Sequence, residues 1–227
     1  MTPDAVWASI DIERDALAAQ LEPLTANQWD TPSLCTGLSV REVLAHMTVS
    51  GAVSAPRWFM GVVKARFDFD KQVDQRLREQ LGATPRETLD RFRSTIGSRI
   101  SPPLPRLALL GEMVVHGEDI RRPLGLVRSY PPETLTALLR YYSGTDLVVL
   151  ARKRVRGLRL EADDSDIAVG DGEPVVPAGH AELDVSPAQR GVRIGAEVML
   201  GGHPTSLPRH NGRATAGCRT RCHKLSP

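Results

Sequence analysis

Long apolar runs are missing from this chain of 227 residues: none approaches the ~18–20 apolar residues that a membrane-spanning helix requires. The first twenty residues include Asp4, Asp11, Glu13, Arg14 and Asp15, which leaves no apolar core for a secretory signal. Cysteine is scarce. Cys35, Cys218 and Cys222 are too few and too scattered for a disulfide framework. These absences predict a cytoplasmic protein with no membrane partner. Charge of one sign is also lacking, the net charge being +2. Residues 177–227 hold seven Lys/Arg against three Asp/Glu, so the preceding part holds 22 basic and 24 acidic residues. A body this close to neutral argues against a nucleic-acid binder that coats phosphates. No internal repeat is present.

What remains is ordinary globular material, 41% hydrophobic and 25% charged, long enough for one large domain or two unequal ones. Apolar spacing predicts a helix over residues 4–22, with Val6, Ile10, Leu17 and Leu21 on its stripe. The segment from Trp29 to Leu38 carries Pro32, Ser33 and Gly37 and reads as a loop. Ser39-Val-Arg-Glu42 has capping-box spacing and opens a second helix two turns before His46. Pro56 interrupts that helix, and the chain turns polar from Asp68 to Asp74. Thr84-Pro-Arg-Glu87 opens a helix to about Ser98; another follows the prolines at 102–105 and stops near Arg121; a last one runs from Pro131 to about Ala151. Beyond it, Val155–Glu161 alternates apolar and charged residues and reads as a strand, and residues 163–172 read as a hairpin turn with a second strand. Trp29 and Trp58 are expected in the core.

One pair stands out on this scaffold. Glu112 and His116 lie four apart, about 40° of helical rotation, so carboxylate and imidazole leave one face a turn apart. Both are ligands for a divalent metal such as zinc, and His46 on the second helix supplies a third. A His/Glu/His set leaves one coordination position open, the mark of a catalytic rather than a structural zinc. Bland readings compete. A lone helical histidine is usually a satisfied core or surface residue, and Glu and His four apart occur on many helices by chance. Asp119 is placed to accept from His116 or from a bound water, or else is an exposed helix-end carboxylate. Arg121 and Arg122 suit a substrate carboxylate, or simply cap the negative end of the helix. Cys35 is expected to be a buried structural thiol rather than a nucleophile.

The stretches Pro32-Ser-Leu-Cys-Thr-Gly-Leu-Ser-Val-Arg-Glu-Val-Leu-Ala-His46 and Gly111-Glu-Met-Val-Val-His-Gly-Glu-Asp-Ile-Arg-Arg-Pro-Leu-Gly125 resemble those of the actinobacterial mycothiol-dependent maleylpyruvate isomerase family, which belongs to the DinB-like metal-binding four-helix bundles. The resemblance spans roughly residues 5–170. It implies an α+β protein: a DinB-like four-helix bundle over residues 1–152, then a small α+β C-terminal domain whose start is residues 153–176. It also implies His46, Glu112 and His116 as metal ligands, zinc or another divalent ion as the metal, and mycothiol, a sugar-linked cysteine thiol, in the open position. Metal-bound thiols are deprotonated, which makes a nucleophile. The implied reaction adds that thiolate to the double bond of maleylpyruvate, permits rotation and expels the thiol to give fumarylpyruvate. Attachment to another electrophile would make the protein an S-transferase. Its partners would be the small thiol and an electrophilic substrate, in a monomer or homodimer. The competing class is a non-catalytic metal-binding bundle acting as a sensor or interaction module.

Two departures accompany the resemblance. Leu38 stands where the family has Trp. After Pro174 the Leu/Ala-rich helix and final strand expected of relatives are replaced, over residues 177–227, by a segment rich in Gly, Arg and Pro without an aromatic residue, which leaves the C-terminal domain incomplete. Such a bias is what a frameshifted reading of a GC-rich gene, or a disordered tail, would give. Within it, Cys218, Cys222 and His223 form a fragment of a zinc knuckle lacking a fourth ligand.

Overall fold

Thr2 accepts a hydrogen bond from the Ala5 amide and Pro3 fills the first helical position, so α1 begins at once and spans Pro3–Leu21. A computed structural model describes residues 1–147, 151–162, 168–170, 172 and 175–178. A one-turn helix, α2 (Ala26–Trp29), lies in the connection to α3 (Val40–Ala52). The expected capping box opens α3: Ser39 accepts from the Glu42 amide, and the Glu42 carboxylate accepts from the Ser39 amide at 2.8 Å. Then come α4 (Ala55–Lys64), α5 (Phe69–Gln80), α6 (Pro85–Arg93), α7 (Arg106–Arg121) with a 3-10 turn at Arg122–Leu124, α8 (Pro132–Gly144) and the short α9 (Ala151–Val155).

Four of these helices close a ring, α1 against α7, α7 against α3, α3 against α6 and α6 back against α1. That is the four-helix bundle. Its interior is filled by Ile10, Leu17 and Leu21 from α1, Val43, Leu44 and Met47 from α3, Leu89 and Phe92 from α6, and Leu109, Leu110 and Met113 from α7, all fully or almost fully buried. Burying each such side chain contributes about 1.5–3 kcal/mol. The helix α7 differs from an ordinary amphipathic helix because it is covered on nearly every side, by α1, α3 and α8. Trp29 belongs to this core as expected, whereas Trp58 is only half-buried, edge-on to Phe59.

Several sequence expectations need correction. The polar stretch around Asp68–Asp74 forms α5, because the Asp68 carboxylate caps the Lys71 amide and Gln72, Arg76 and Leu77 are buried on one side. The helix from Thr84 stops at Arg93 rather than Ser98, and α8 stops at Gly144, where Thr145 turns extended. Arg152 and Lys153 are tied back to Asp146, so Ala151–Val155 is helical and the strand starts later than Val155. Residue 152 falls inside α9.

The strands form one small sheet in the order β2-β1-β3, with β1 at Arg159–Ala162, β2 at Ala168–Val169 and β3 at Val175–Ala178. β1 runs antiparallel to β2, pairing Leu160 with Val169, and parallel to β3, pairing Leu160 with Val176. The described part is therefore mostly helical with a small mixed sheet, an α+β arrangement. The hairpin turn at 163–167, the bulk of the tail and its Cys218/Cys222/His223 fragment lie outside the described residues.

Candidate metal centre

The bundle sets α3 beside α7 and so brings His46 to His116, their rings perpendicular with centroids 5.1 Å apart. His46 is half-buried and His116 is 4% exposed. A loop completes one wall. Gly37 adopts a positive φ, Ser33 and Leu38 pair across the turn, and the Leu34 amide donates to the Asp119 carbonyl at 3.1 Å, which clamps residues 33–38 to the end of α7. Cys35 thereby enters the site with its sulfur 3.1 Å from Asp119 Oδ2 and 3.5 Å from His116 Nδ1. It is disulfide-bonded in this structure, so the structural thiol expected from sequence is oxidised and its sulfur is a neighbour of these groups, not a donor to them.

Asp119 is not the exposed helix-end carboxylate of the bland reading. It is 1% exposed, and its Oδ2 accepts from His116 Nδ1 at 2.9 Å. Because a carboxylate only accepts, Nδ1 holds the proton and Nε2 is left as the basic nitrogen. Burial pulls the His116 pKa down, but the hydrogen bond to Asp119, together with the charges of Asp119 and Glu112, outweighs it and raises the imidazole above its ordinary value. Glu112 is displaced the other way from a typical surface carboxylate: burial raises its pKa, with only the His116 charge opposing.

The rings of His46 and His116 adjoin between α3 and α7 and Glu112 lies one turn before His116 on α7, but the ligand atoms of the three do not all lie within 4.8 Å of one another. Among the described residues that spacing is met by Cys35, His116 and Asp119. In that compact trio the sulfur is tied in its disulfide and Asp119 already holds His116 Nδ1, so the trio supports the imidazole from behind.

Arg121 requires a correction. Its side chain is completely buried, donating from Nε to Gln20 Oε1 at 2.7 Å and from Nη1 to the Tyr130 hydroxyl at 2.9 Å, beside Glu118 and Glu13. Such a guanidinium is committed to the fold and does not reach a substrate. Arg122 is largely covered too, its Nε 3.5 Å from Glu118. Tyr142 on α8, buried as its place on the apolar face of the last helix predicts, lies against Gly111, where a Cβ would overlap the phenol hydroxyl.

Fold and site together define a helical-bundle protein with a buried imidazole–carboxylate centre between two of its core helices. Residues 10–101 match the family described as the mycothiol maleylpyruvate isomerase N-terminal domain, which bears out the family resemblance read from the sequence. This match includes Cys35 and His46; Glu112, His116 and Asp119 lie beyond it. The crystal structure of the mycothiol-dependent maleylpyruvate isomerase superimposes with a TM-score of 0.52 at 13% identity, covering 79% of this chain and 85% of that one. At that identity the likeness is one of fold. No curated protein matches the chain.

Proposed function

We propose that the protein is a mycothiol-using enzyme whose His46, Glu112 and His116 hold a divalent metal ion, zinc by the chemistry of the set. The observation that carries this reading is the 2.9 Å hydrogen bond from His116 Nδ1 to the buried Asp119 carboxylate. A histidine fixed in this way presents Nε2 as a ligand of raised basicity, the usual arrangement behind a metal-bound imidazole. The donor set fits in a second respect. Glu112 is a carboxylate in a desolvated place with no hydrogen bond among the described residues, and a cation at that point would remove the cost of its charge. When bound, such an ion supplies one thing: it keeps the thiol of mycothiol as a thiolate near neutral pH.

The chain's own groups do the rest. Asp119 fixes the tautomer and orientation of His116, and the 33–38 loop holds Asp119 through Leu34. The closely packed α1, α3 and α7 keep water from the back of the site. The reaction class supported by family and fold is thiol-dependent isomerisation of a small unsaturated keto acid of the maleylpyruvate type, or transfer of the thiol to a related electrophile.

Metal analysis with calorimetric titration of mycothiol tests the reading. Stoichiometric metal is expected in the purified protein and is lost in His46→Ala and His116→Ala, with mycothiol heat seen only for the loaded protein. Unchanged metal content in both variants, or no mycothiol binding to the loaded wild type, would overturn it.

A further inference from the structure

Cys35 stands outside the His46, Glu112 and His116 set and yet borders it. It is 2% exposed, with Sγ 3.1 Å from Asp119 Oδ2 and 3.5 Å from His116 Nδ1, while Nδ1 and Oδ2 are 2.9 Å apart. Three donor atoms so placed form a small triangle of sulfur, nitrogen and oxygen. On tetrahedral zinc, with Zn–S of about 2.3 Å and Zn–N and Zn–O of about 2.0 Å, the S···N, S···O and N···O edges are roughly 3.5, 3.5 and 3.3 Å. Each edge of the triangle is within about 0.4 Å of its counterpart. A second observation points the same way. Asp119 is 1% exposed and its Oδ1 is buried with no hydrogen-bond partner among the described residues, so the carboxylate has acceptor capacity that His116 does not use. One thing keeps a cation out. Cys35 is disulfide-bonded, and it is the thiolate that ligates metal.

We propose that Cys35, His116 and Asp119 form a second, redox-gated site for a divalent cation of the zinc type, closed by the Cys35 disulfide and opened by its reduction. Thiolate, imidazole and carboxylate together suit zinc, cobalt(II) or cadmium rather than magnesium or calcium. Reduction by a small thiol is balanced: two reductant thiols supply two electrons and two protons and leave as their own disulfide, while Cys35 and its bonded partner each become a thiol. The cation then replaces the Cys35 proton, which goes to solvent, and the imidazole proton passes from Nδ1 to Nε2. That transfer has a consequence. A neutral imidazole offers one lone pair, so His116 serves this triangle through Nδ1 or the His46/Glu112 set through Nε2, not both at once. Opening the disulfide therefore withdraws His116 from the catalytic set proposed above and gives the cation the protein's own thiolate in place of a small thiol. The triangle shares His116 with that reading but stands without it.

The test uses cobalt(II) and full-length protein, with sulfur-to-cobalt absorption as the readout. A phosphine serves as reductant: with one water it takes the disulfide to two thiols and leaves as the phosphine oxide, adding no sulfur ligand. The band is expected to be absent from untreated wild type and to appear after reduction. A Cys218→Ser/Cys222→Ser variant, which holds no other cysteine to bond with Cys35, should show the band without reductant. Adding Cys35→Ser to that variant should abolish the band, and adding His46→Ala should leave it unchanged. No band in the Cys218→Ser/Cys222→Ser variant, a band that survives Cys35→Ser, or one that requires His46 overturns the proposal. A full band in untreated wild type overturns it too, because nothing then guards the site. The metal reading above fails separately, when untreated His46→Ala keeps its full metal content, whatever the sulfur band does.

Discussion

Two polar clusters lie on different faces of α7, and they differ in how their charges are paired. Toward the end of the helix, Glu118 and Arg121 join Gln20, Tyr130, Glu13, Arg122 and Arg128 in a buried network. Tyr130 donates to Glu118 at 2.6 Å, and Arg128 binds Glu13 through two nitrogens at 2.8 and 3.1 Å. On another face of the helix lie Glu112, His116 and Asp119; Asp119 Oδ1 is buried without a hydrogen-bond partner, as are Arg121 Nη2 and Arg122 Nε in the first cluster, and Glu112 lies in an environment that penalises its charge. The same local device serves both. Gly117 makes room for Arg121, where a Cβ would fall 2.6 Å from Nη1, and Gly111 makes room for Tyr142. These contacts tie the 122–130 segment to α1 and α7. The first cluster pairs Arg with Glu, whereas the second sets two carboxylates about an imidazole, and that difference in charge balance separates the scaffold from the candidate site.

Substitutions can sharpen or break this contrast. The largest effect on stability is expected in the Arg–Glu cluster. Arg121→Met leaves Glu118 and Glu13 with fewer counter-charges in a buried place, and should cost about 3–5 kcal/mol in urea unfolding. Metal affinity of the surviving folded protein should change little. Next comes Asp119→Asn beside His116, which is expected to lower metal affinity about 10–100-fold in chelator competition while shifting the melting temperature far less. If Asp119→Asn unfolds the protein and leaves affinity intact, the division between scaffold and site is wrong. Ser39→Ala removes the cap of the helix that carries His46 and should cost about 1 kcal/mol, with no direct effect on His116.

The smallest effect belongs to an exposed control. Glu87 accepts from the Ala83 amide at 2.7 Å and pairs with Arg91, and these contacts lower its pKa in the folded state. A carboxylate whose folded pKa is depressed stabilises the protein above its unfolded pKa, and that contribution fades as pH falls through the folded value. Glu87→Gln should therefore lower the melting temperature slightly near neutral pH, with the difference from wild type closing in acid. A difference that widens in acid would contradict the assignment.

Local chemistry made a good part of the fold legible. Ser39 with Glu42 and Thr84 with Pro85 are caps that act within one turn, so α3 and α6 could be started from the sequence, and Pro123 with Gly125 marked the end of α7. The missed helix α5 shows the limit. Its surface is polar, and the few residues it buries, Gln72, Arg76 and Leu77, are covered only because α3 and α4 lie beside it. For the site, spacing placed Glu112 and His116 on one face, and the paired motifs pointed to His46. The buried state of Asp119, its hold on His116 and the burial of Arg121 were beyond reach, since each depends on loops and helices distant in sequence.

By itself the sequence determined where most helices begin, that Glu112 and His116 share a helix face and which family the N-terminal pattern resembles, because capping, helical period and motif spacing operate over a few residues. The tertiary structure alone decided which charged groups are paired into the scaffold and which gather about His116. That decision belongs to packing: α1 and the 122–130 segment cover one face of α7, while α3 and the 33–38 loop cover another.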